Sequence, residues 1–313
     1  MNDKQLLSVI IPISEKRYDD IQPLYFEYKN SITSYTENYE FIYILDGEYP
    51  DLKVKLKELI KQGEPIKVIS LSKSFGEATA ISIAFEHSKG DLFLTLPAYR
   101  QIESEKIAQV LKQQENCDMV IVKRWPRIDS SFSQIRSRVF HKIVNYGSKF
   151  KAQDIGCGVR TFKRKVLEEI NLYGDQHRFL SFLAYHKGFK VTEIEIPQSK
   201  EEPFKRSYPA GVYLRRLLDI LVVSFLVKFT KKPIRFFGLI GSGIFFVGLV
   251  SLVYLIIDRL FFGGALADRP ALFLSSLMLV LGIQILAIGL IGEIIIFTHA
   301  KEMKEYTIAE IIN

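Results

Sequence analysis

The chain has 313 residues, of which 48% are hydrophobic and 25% are charged, and it carries a formal net charge of +7. This length allows one large domain or two, while the two cysteines, Cys117 and Cys157, are too few for a disulfide framework and fit a reducing compartment. A basic chain can bind nucleic acid, acidic lipids or phosphorylated ligands, but no nucleic-acid-binding motif is visible, so we expect no nucleic-acid partner.

Short apolar segments alternate with amphipathic segments from residue 6 to about residue 195. The apolar segments are continuous, which is typical of strands in a sheet that is covered on both faces. Alternation of such strands with helices predicts an α/β domain with a mostly parallel sheet. The predicted strands are residues 6–13, 39–46, 66–72, 91–96 and 117–124, and the predicted helices include 51–62, 76–88 and one that starts near Ser104.

The C-terminal third is apolar enough to enter a membrane. Residues 209–229 combine apolar and basic residues, which fits a buried helix or one in the membrane interface, and the spanning segment that follows favours the interface. Residues 236–257 contain no charge, and residues 271–297 contain only Glu293. Each is long enough to cross a bilayer, which needs about 20 apolar residues. We therefore predict two membrane spans.

Basic residues flank this pair of predicted spans and indicate its orientation. The segments outside the two spans are rich in Lys, whereas the loop between the spans holds two Arg and two Asp. Because basic residues favour the cytoplasmic side, this difference places both chain ends and the large N-terminal domain in the cytoplasm. A basic cluster beside an apolar run also points to lipid headgroups as its partner. The flanking residues are Lys228, Lys231, Lys232, Arg235, Lys301 and Lys304.

Two features of the spans leave alternatives open. Glu293 near the end of the second span is a functional group of the membrane interior, or it is paired or reaches the interface. Glycines on both spans permit close helix approach, which pairs the two spans or joins subunits. These glycines are Gly238, Gly241, Gly243 and Gly248 in the first span and Gly282, Gly289 and Gly292 in the second.

Polar residues follow three predicted strands. The first strand leads into "IPISE", Asp46 ends the second, and the third enters a helix through Ser74, Phe75 and Gly76. An Asp-Gly pair after a strand is usually a turn, so each feature alone is weak evidence. Because ligands of open α/β sheets bind just beyond the carboxyl ends of the strands, the three together predict a ligand site there.

A family resemblance rests on segments of both the α/β part and the apolar tail. It covers about residues 6 to 312. The segments of the α/β part are "LSVIIPISE", "YILDGE", "LSKSFGEATAISIAFEHSKGD", "DIGCGVRTFKRKVLEEI" and "FLAYHKGFKVTEIEIP", and the tail is "KKPIRFFGLIGSG…GIQILAIGLIGEIII". In this order they resemble the inverting GT-A glycosyltransferases of family 2, of the dolichyl-phosphate-mannose-synthase and bacterial polyprenyl-phosphate type.

The resemblance implies a membrane enzyme of four parts. They are a cytoplasmic, Rossmann-like GT-A domain (1–208), a juxtamembrane amphipathic helix (209–233), a two-span hairpin (234–300) and a cytoplasmic tail (301–313). Its implied partners are a nucleotide-sugar donor, a polyprenyl (undecaprenyl) phosphate acceptor and further copies of the chain in a homo-oligomer. It would lie in the inner membrane of a bacterium.

The resemblance also implies roles for particular residues. Asp46 matches the acidic residue that holds the nucleotide base, and Asp154 matches the acidic residue near the reaction centre. The implied donor-binding set is Pro12, Ser14, Glu15, Asp46, Ser74, Phe75, Gly76 and Gln101. The implied or candidate contacts to the acceptor phosphate are Arg136, Arg138, Arg160, Lys205 and Arg206. Arg136 and Arg138 fit a phosphate grip or, equally, the exposed face of an amphipathic helix.

One segment departs from the family pattern. Family members normally carry D-x-D-x-Q after the fourth strand, where it holds Mg²⁺ or Mn²⁺, but this chain has Pro97, Ala98, Tyr99, Arg100 and Gln101. Neither proline nor tyrosine supplies the anionic oxygens that Mg²⁺ prefers. The usual metal ligands are therefore missing, and only the glutamine is kept.

Three hypotheses follow from this departure. The enzyme is active without metal, with Arg100 as a catalytic residue that supplies positive charge to the diphosphate. Alternatively, it is a degenerate homologue that binds lipid or a partner without turnover. In the third hypothesis it uses metal through Gln101 and a shifted carboxylate, Glu103 or Glu105, although acids are common in the first turn of a helix anyway. A transporter component would leave the α/β domain unexplained.

Overall fold

The computed structural model describes residues 5–14, 18–127, 152–170, 176–202, 233–263 and 270–299. The chain divides into two compact units, an α/β domain and a pair of long helices, and each is described by itself. The predicted juxtamembrane helix, apart from residue 233, and the predicted cytoplasmic tail lie outside the described residues.

The α/β domain follows the predicted alternation of strands and helices. Three short 3-10 turns accompany the regular elements, at Ser104–Lys106, Gln114–Asn116 and Gln176–Phe179. The elements are β1 (Leu7–Ile13), α1 (Ile21–Thr33), β2 (Tyr39–Asp46), α2 (Pro50–Lys61), β3 (Ile66–Leu71), α3 (Glu77–Glu86), β4 (Leu92–Thr95), α4 (Ile107–Gln113), β5 (Met119–Arg124), β6 (Arg160–Lys163), α5 (Arg164–Glu169), α6 (Leu180–His186) and β7 (Val191–Ile196).

The strands described here form one seven-stranded sheet in the order β3-β2-β1-β4-β6-β5-β7. Six strands run in the same direction, and β6 runs against its neighbours β4 and β5. The central strands are apolar and buried, as their continuous apolar sequence predicts. Burial of one Ile or Phe side chain contributes about 1.5–3 kcal/mol, so these strands form the main core. The predicted mostly parallel sheet is confirmed.

Loops from several strands meet at one edge of this sheet. Because six strands are parallel, their carboxyl ends share that edge, and β6 contributes its first residue, Arg160, which pairs with Thr95 at the end of β4. The chain moves from β1 outward to β3 and then returns to the other side of β1 for β4. The strand order therefore reverses between β1 and β4, which is where open α/β sheets form their ligand crevice.

The second unit consists of two long apolar helices, α7 (Pro233–Phe262) and α8 (Pro270–His299). Each has 30 residues and therefore a length of about 45 Å, more than the roughly 30 Å of a bilayer's hydrocarbon core. Their most apolar windows have a mean hydropathy of 2.4, and only 17% and 11% of those windows is buried in the structure. Core helices of a soluble domain would be mostly buried, so the two helices are candidate membrane spans.

Glycines hold these two helices together. A Cβ atom on Gly282 would lie 2.7 Å from the Cβ of Phe245 and 2.8 Å from the carbonyl oxygen of Gly241, so the backbones meet too closely for any side chain. Gly248 approaches the carbonyl oxygen of Ser275 in the same way. By contrast, a Cβ on Gly243 would meet nothing within 4 Å. Of the two alternatives for these glycines, the structure shows pairing of the two helices.

Glu293 has a structural partner in this hairpin. Its Oε2 accepts a hydrogen bond from the backbone N–H of Ile234 at 3.4 Å. This N–H belongs to the first turn of α7, where backbone donors lack partners within the helix and a negative charge is favourable. The contact supports the interpretation of Glu293 as a paired residue that caps the neighbouring helix.

Candidate active site

The turn after β4, where the family pattern expects D-x-D, is tied to α1 by its backbone. The Tyr28 hydroxyl donates to the carbonyl oxygens of Pro97 at 3.0 Å and Tyr99 at 3.1 Å. The Asp19 N–H donates to the carbonyl oxygen of Ala98 at 2.9 Å. Burial raises the pKa of Tyr28, which keeps its hydroxyl a proton donor. The carbonyl groups of the turn therefore face inward and are already bonded.

Arg100 points into a cluster of acids. Its guanidinium lies 3.2 Å from Asp19 and 3.1 Å from Glu201, and it donates two hydrogen bonds to the Glu27 carboxylate. The hydrogen bonds that Arg100 donates to Glu27, with the negative charges of Glu27, Glu201 and Asp19, raise the pKa of Arg100. Three carboxylates thus surround one guanidinium and more than neutralise its charge. This arrangement gives Arg100 a structural task and does not favour the hypothesis that it offers free positive charge to a diphosphate.

Gln101 connects this turn to the segment before β6. Its Oε1 accepts the Gly158 N–H at 2.8 Å, and its Nε2 donates to the Gly156 carbonyl oxygen at 3.3 Å. The side chain is only 3% exposed. Because its amide oxygen is already hydrogen-bonded, Gln101 links the turn after β4 to the segment before β6.

The residues of this turn do not fit Mg²⁺ or Mn²⁺. Positions 97 and 99 are Pro and Tyr, the nearest acids are bound to Arg100, and the Gln101 oxygen is occupied. Glu103 and Glu105 are both exposed. Within the described ranges, no group of three or more His, Cys, Asp or Glu side chains is arranged to hold a metal ion.

Asp46 organises the loop that leads into α3. Its Oδ1 accepts the Phe75 N–H at 2.6 Å, and its Oδ2 accepts the Ser74 hydroxyl and the Gly76 N–H, both at 2.9 Å. Gly76 has a φ of 97°, which glycine adopts without strain. The carboxylate is 2% exposed, so both oxygens serve the loop. The structure thus brings together the predicted donor residues of β2 and the loop, and leaves the Phe75 ring 49% exposed.

The remaining predicted donor and acceptor residues fall into two groups. Pro12 lies in β1 beside Ile44 of β2, and Ser14 follows the strand at the same edge of the sheet. Glu15, Arg136, Arg138, Lys205 and Arg206 lie outside the described residues.

Asp154 forms a buried ion pair with Arg124, which the sequence did not single out. Arg124 Nε lies 2.7 Å from Oδ2 of Asp154, and Nη2 lies 3.0 Å from Oδ1. Nη1 of the same arginine lies 3.1 Å from Glu202. Burial alone would raise the pKa of Asp154, but the Arg124 guanidinium holds it below its usual range. The available signal in the sequence was an arginine at the end of a mostly apolar strand.

Arg160 is turned away from solvent. Its guanidinium donates to the carbonyl oxygens of Cys157 at 3.1 and 3.2 Å, Ile155 at 3.4 Å, and His177. Burial lowers the pKa of Arg160. In this structure the side chain braces residues 155–157, and contact between Arg160 and an acceptor phosphate stays a prediction.

A second set of charged residues escaped the sequence interpretation. His177 Nε2 lies 3.2 Å from Oε2 of Glu77, the first residue of α3, and Arg178 Nε lies 3.4 Å from the same nitrogen. Burial alone would raise the pKa of Glu77, but His177, with Arg160 and Arg178, lowers it to about 2. Glu77 directly follows the loop that Asp46 holds, so this set lies beside the predicted donor loop.

The α/β domain has the fold of GT-A glycosyltransferases. It is similar to glucosyl-3-phosphoglycerate synthase from Mycobacterium tuberculosis, solved with Mn²⁺, uridine diphosphate and phosphoglyceric acid, with a TM-score of 0.52. The match covers 70% of this chain and 78% of that one at 11% identity, so it is a likeness of fold. Residues 8–171 match the family model of glycosyl transferase family 2. The chain belongs to this family.

Two curated relatives match almost the whole chain. The dodecaprenyl-phosphate galacturonate synthase of Rhizobium johnstonii is 23% identical over 95% of this chain and 89% of its own length. The undecaprenyl-phosphate 4-deoxy-4-formamido-L-arabinose transferase of Photorhabdus laumondii is 28% identical over 98% of this chain and 94% of its own length. Both matches extend through the two apolar helices. The sequence-based resemblance to polyprenyl-phosphate sugar transferases is confirmed.

Proposed function

We propose that the protein is an inverting membrane glycosyltransferase that moves a sugar from a nucleotide-sugar donor to polyprenyl phosphate. The observation that carries this proposal is the near full-length similarity to transferases named for polyprenyl-phosphate products. An α/β domain of the glycosyl transferase fold, joined in one chain to two candidate spans, fits a water-soluble donor and a membrane-bound acceptor.

The reaction makes one bond and breaks one. An oxygen of the lipid phosphate attacks the anomeric carbon of the sugar from the face opposite the leaving group, which inverts the configuration. The bond from that carbon to the diphosphate breaks, and the nucleoside diphosphate leaves with both electrons. The lipid phosphate is already an anion and needs little activation, whereas the leaving group gains negative charge that the site must stabilise.

The proposed site uses residues from several strand ends. Asp46 positions the donor loop of Ser74, Phe75 and Gly76, and Gln101 positions the segment that carries Asp154. We retain Asp154 at the proposed reaction centre as an anion, because its pairing with Arg124 disfavours the protonated form. We assign Arg100 a structural role in the turn after β4.

The cellular setting is part of this proposal. The four-part division at residues 208, 233 and 300, the cytoplasmic position of the α/β domain and the bacterial inner membrane rest on the sequence pattern. Assembly into a homo-oligomer also stays a prediction. The helix pairing through glycines does not support it, because Gly241, Gly248 and Gly282 face the neighbouring helix of the same chain.

We further propose that the sugar transfer proceeds without a metal ion. It is supported by the turn after β4, whose side chains do not fit Mg²⁺ or Mn²⁺. To test it, the full-length protein in detergent is incubated with polyprenyl phosphate and a panel of nucleotide sugars, in EDTA and with added Mg²⁺. Mass spectrometry of the lipid product should show equal transfer in both conditions. A requirement for added metal would contradict metal independence alone.

A degenerate, non-catalytic homologue is the second candidate. It is favoured by the inward orientation of Gln101, Asp154 and Arg160, whose polar groups are bonded within the protein. The same assay separates the two candidates with Asp154→Asn, for which Asp51→Asn on the exposed start of α2 is the control. Product formation that Asp154→Asn reduces and Asp51→Asn does not would establish the enzyme. No product from any donor, and no binding of any nucleotide, would leave the non-catalytic homologue.

A further inference from the structure

Glu77, His177, Arg160 and Arg178 form a cluster at the carboxyl edge of the sheet, here called the basic cluster. Two links fix its position. Glu77 follows the loop bound to Asp46, the last residue of β2. Arg160 is paired with Thr95 at the end of β4, and its guanidinium donates to the His177 carbonyl oxygen. Since β2 and β4 flank β1, the basic cluster lies at the edge where the strand order reverses.

The basic cluster carries excess positive charge. It contains two guanidinium groups and one carboxylate, so its net charge is positive even before His177 is counted. Among the described residues, no carboxylate forms a direct ion pair with Arg178. By contrast, Arg100 and Arg124 each form ion pairs with at least two carboxylates. Arg178 is also half-exposed, unlike the buried Arg160. Of these four arginines, Arg178 is therefore the one that is partly exposed and forms no direct ion pair with a described carboxylate.

The basic cluster also contains an unsatisfied polar atom. His177 is 4% exposed, and its Nδ1 has no hydrogen-bond partner among the described residues. Leaving a buried polar atom unpaired is unfavourable, and a water, an ion or a ligand is one way in which such an atom is satisfied. Its Nε2 lies 3.2 Å from Oε2 of Glu77 and 3.4 Å from Nε of Arg178, and it hydrogen-bonds to one of them at a time, so the ring contacts both side chains.

We propose that Arg178, positioned by His177 and Glu77, binds the diphosphate of the nucleotide donor and supplies positive charge that the turn after β4 does not. This inference rests on the proposed function. A guanidinium can bind two phosphate oxygens at once, and it keeps its charge at any physiological pH. Arg160 adds a buried positive charge to the basic cluster, while its own donors stay on backbone carbonyl groups. His177 and Glu77 act through Arg178 and are positioning residues.

Binding of nucleoside diphosphates in EDTA tests the proposal. The full-length protein in detergent is titrated by calorimetry with UDP, GDP, dTDP, CDP and ADP, and then with the monophosphate of whichever nucleotide binds. Arg178→Ala should weaken the diphosphate complex at least about tenfold, as expected for loss of a charge-assisted hydrogen bond, and the monophosphate complex less. Arg178→Lys should retain part of the affinity, because it keeps the charge without the bidentate geometry.

Lys61→Ala is the matched control, because it removes one positive charge at the exposed end of α2, on the opposite edge of the sheet. Titration with farnesyl phosphate separates the donor diphosphate from a lipid phosphate, and Arg178→Ala should leave that binding unchanged. Thermal unfolding checks that each variant is folded. If Arg178→Ala does not fold, Arg178→Gln is used in its place.

The possible outcomes separate this inference from the proposed function. Loss of diphosphate binding in Arg178→Ala, with Lys61→Ala unchanged, supports the inference. Equal binding by wild type and Arg178→Ala overturns it and leaves the proposed function standing. A loss confined to farnesyl phosphate, or a wild type that binds diphosphate only with Mg²⁺, also overturns it. A wild type that binds no nucleotide overturns the proposed function and the inference together.

Discussion

Arg124 and Asp154 form a buried bidentate pair, with Nε 2.7 Å from Oδ2 and Nη2 3.0 Å from Oδ1. The arginine ends β5 and the aspartate precedes β6, so the pair fixes the segment before β6 against the sheet. Glu202 approaches the same guanidinium from the segment after β7. One arginine thereby joins three parts of the carboxyl edge.

Arg124→Met should destabilise the protein by about 3–5 kcal/mol, because it leaves the buried Asp154 carboxylate without its partner. Denaturant unfolding of the full-length protein measures this change. Lys123→Met is the matched control, since Lys123 pairs with the exposed Glu195 next to it and should contribute less than about 1 kcal/mol. Equal effects of the two substitutions would contradict a special role for the buried pair.

The stability that Glu77 contributes should depend on pH. Its pKa falls from 4.5 to about 2 on folding, so the contribution is fully present above pH 4.5 and is lost as the pH falls towards 2. Wild type and Glu77→Gln should differ most in Tm near neutral pH, and the difference should shrink in acid. Glu86→Gln, at the exposed end of the same helix, should give a small difference that does not change with pH. A gap between wild type and Glu77→Gln that widens in acid would refute the ion pair.

Asp46→Ala should destabilise the protein by about 1–2 kcal/mol, since it removes the acceptor of three donors at the start of α3. The same change should weaken nucleotide binding, because the loop of residues 74–76 loses its anchor. Denaturant unfolding and calorimetry measure the two effects. Asp51→Ala, in the exposed first turn of α2, should change neither. Unaltered stability in Asp46→Ala would show that the loop holds its shape without this carboxylate.

Arg100→Lys tests the structural role assigned to Arg100. Lysine cannot reproduce the planar fork that meets Asp19, Glu27 and Glu201, so stability should fall by roughly 1–3 kcal/mol. The affinity for a nucleoside diphosphate should change by no more than about twofold, because Arg100 is not expected to contact the ligand. Thermal unfolding and calorimetry provide the two measurements. A folded Arg100→Lys variant with much weaker diphosphate binding would instead support a direct contact between Arg100 and the donor.

Gly282→Ala and Gly243→Ala form a matched pair on the two apolar helices. The first substitution places a methyl group 2.7 Å from the backbone nitrogen of Phe245 and should lower the Tm, because the helices must separate. The second meets nothing within 4 Å and should raise helix stability by up to about 1 kcal/mol. Thermal unfolding in detergent distinguishes them. If both behave alike, the glycine faces do not determine helix pairing.

The sequence predicted the elements with strong apolar patterns and missed those without them. The predicted strands that became β1, β2, β4 and β5 were visible because they are buried on both faces, which requires a continuous apolar run, and the edge strand β3 has such a run although it is only partly buried. β6 is four residues long and holds an arginine and a lysine, and β7 lies at the sheet edge with alternating polar residues. Neither carries the pattern of a fully buried strand, so neither was predicted as one.

Motif matching located the site loops but not the direction of their side chains. Asp46 lies at its predicted strand end and Asp154 in the segment before β6, yet their oxygens are bonded to the loop before α3 and to Arg124. Contacts of this kind join residues about 30 positions apart and depend on loop geometry that local patterns do not encode. The basic cluster was missed for the same reason, because Glu77 and His177 become neighbours only when the sheet is assembled.

Arg100 draws its three carboxylates from separate stretches of the chain, since Asp19 and Glu27 belong to the region of α1 and Glu201 follows β7. A divalent ion at such a junction would exchange with the medium and could be withdrawn by a chelator. The guanidinium of Arg100, by contrast, is part of the polypeptide and is present once in every molecule. The turn after β4 is therefore held by side chains of the same polypeptide, and its shape does not depend on the supply of magnesium or manganese in the cell.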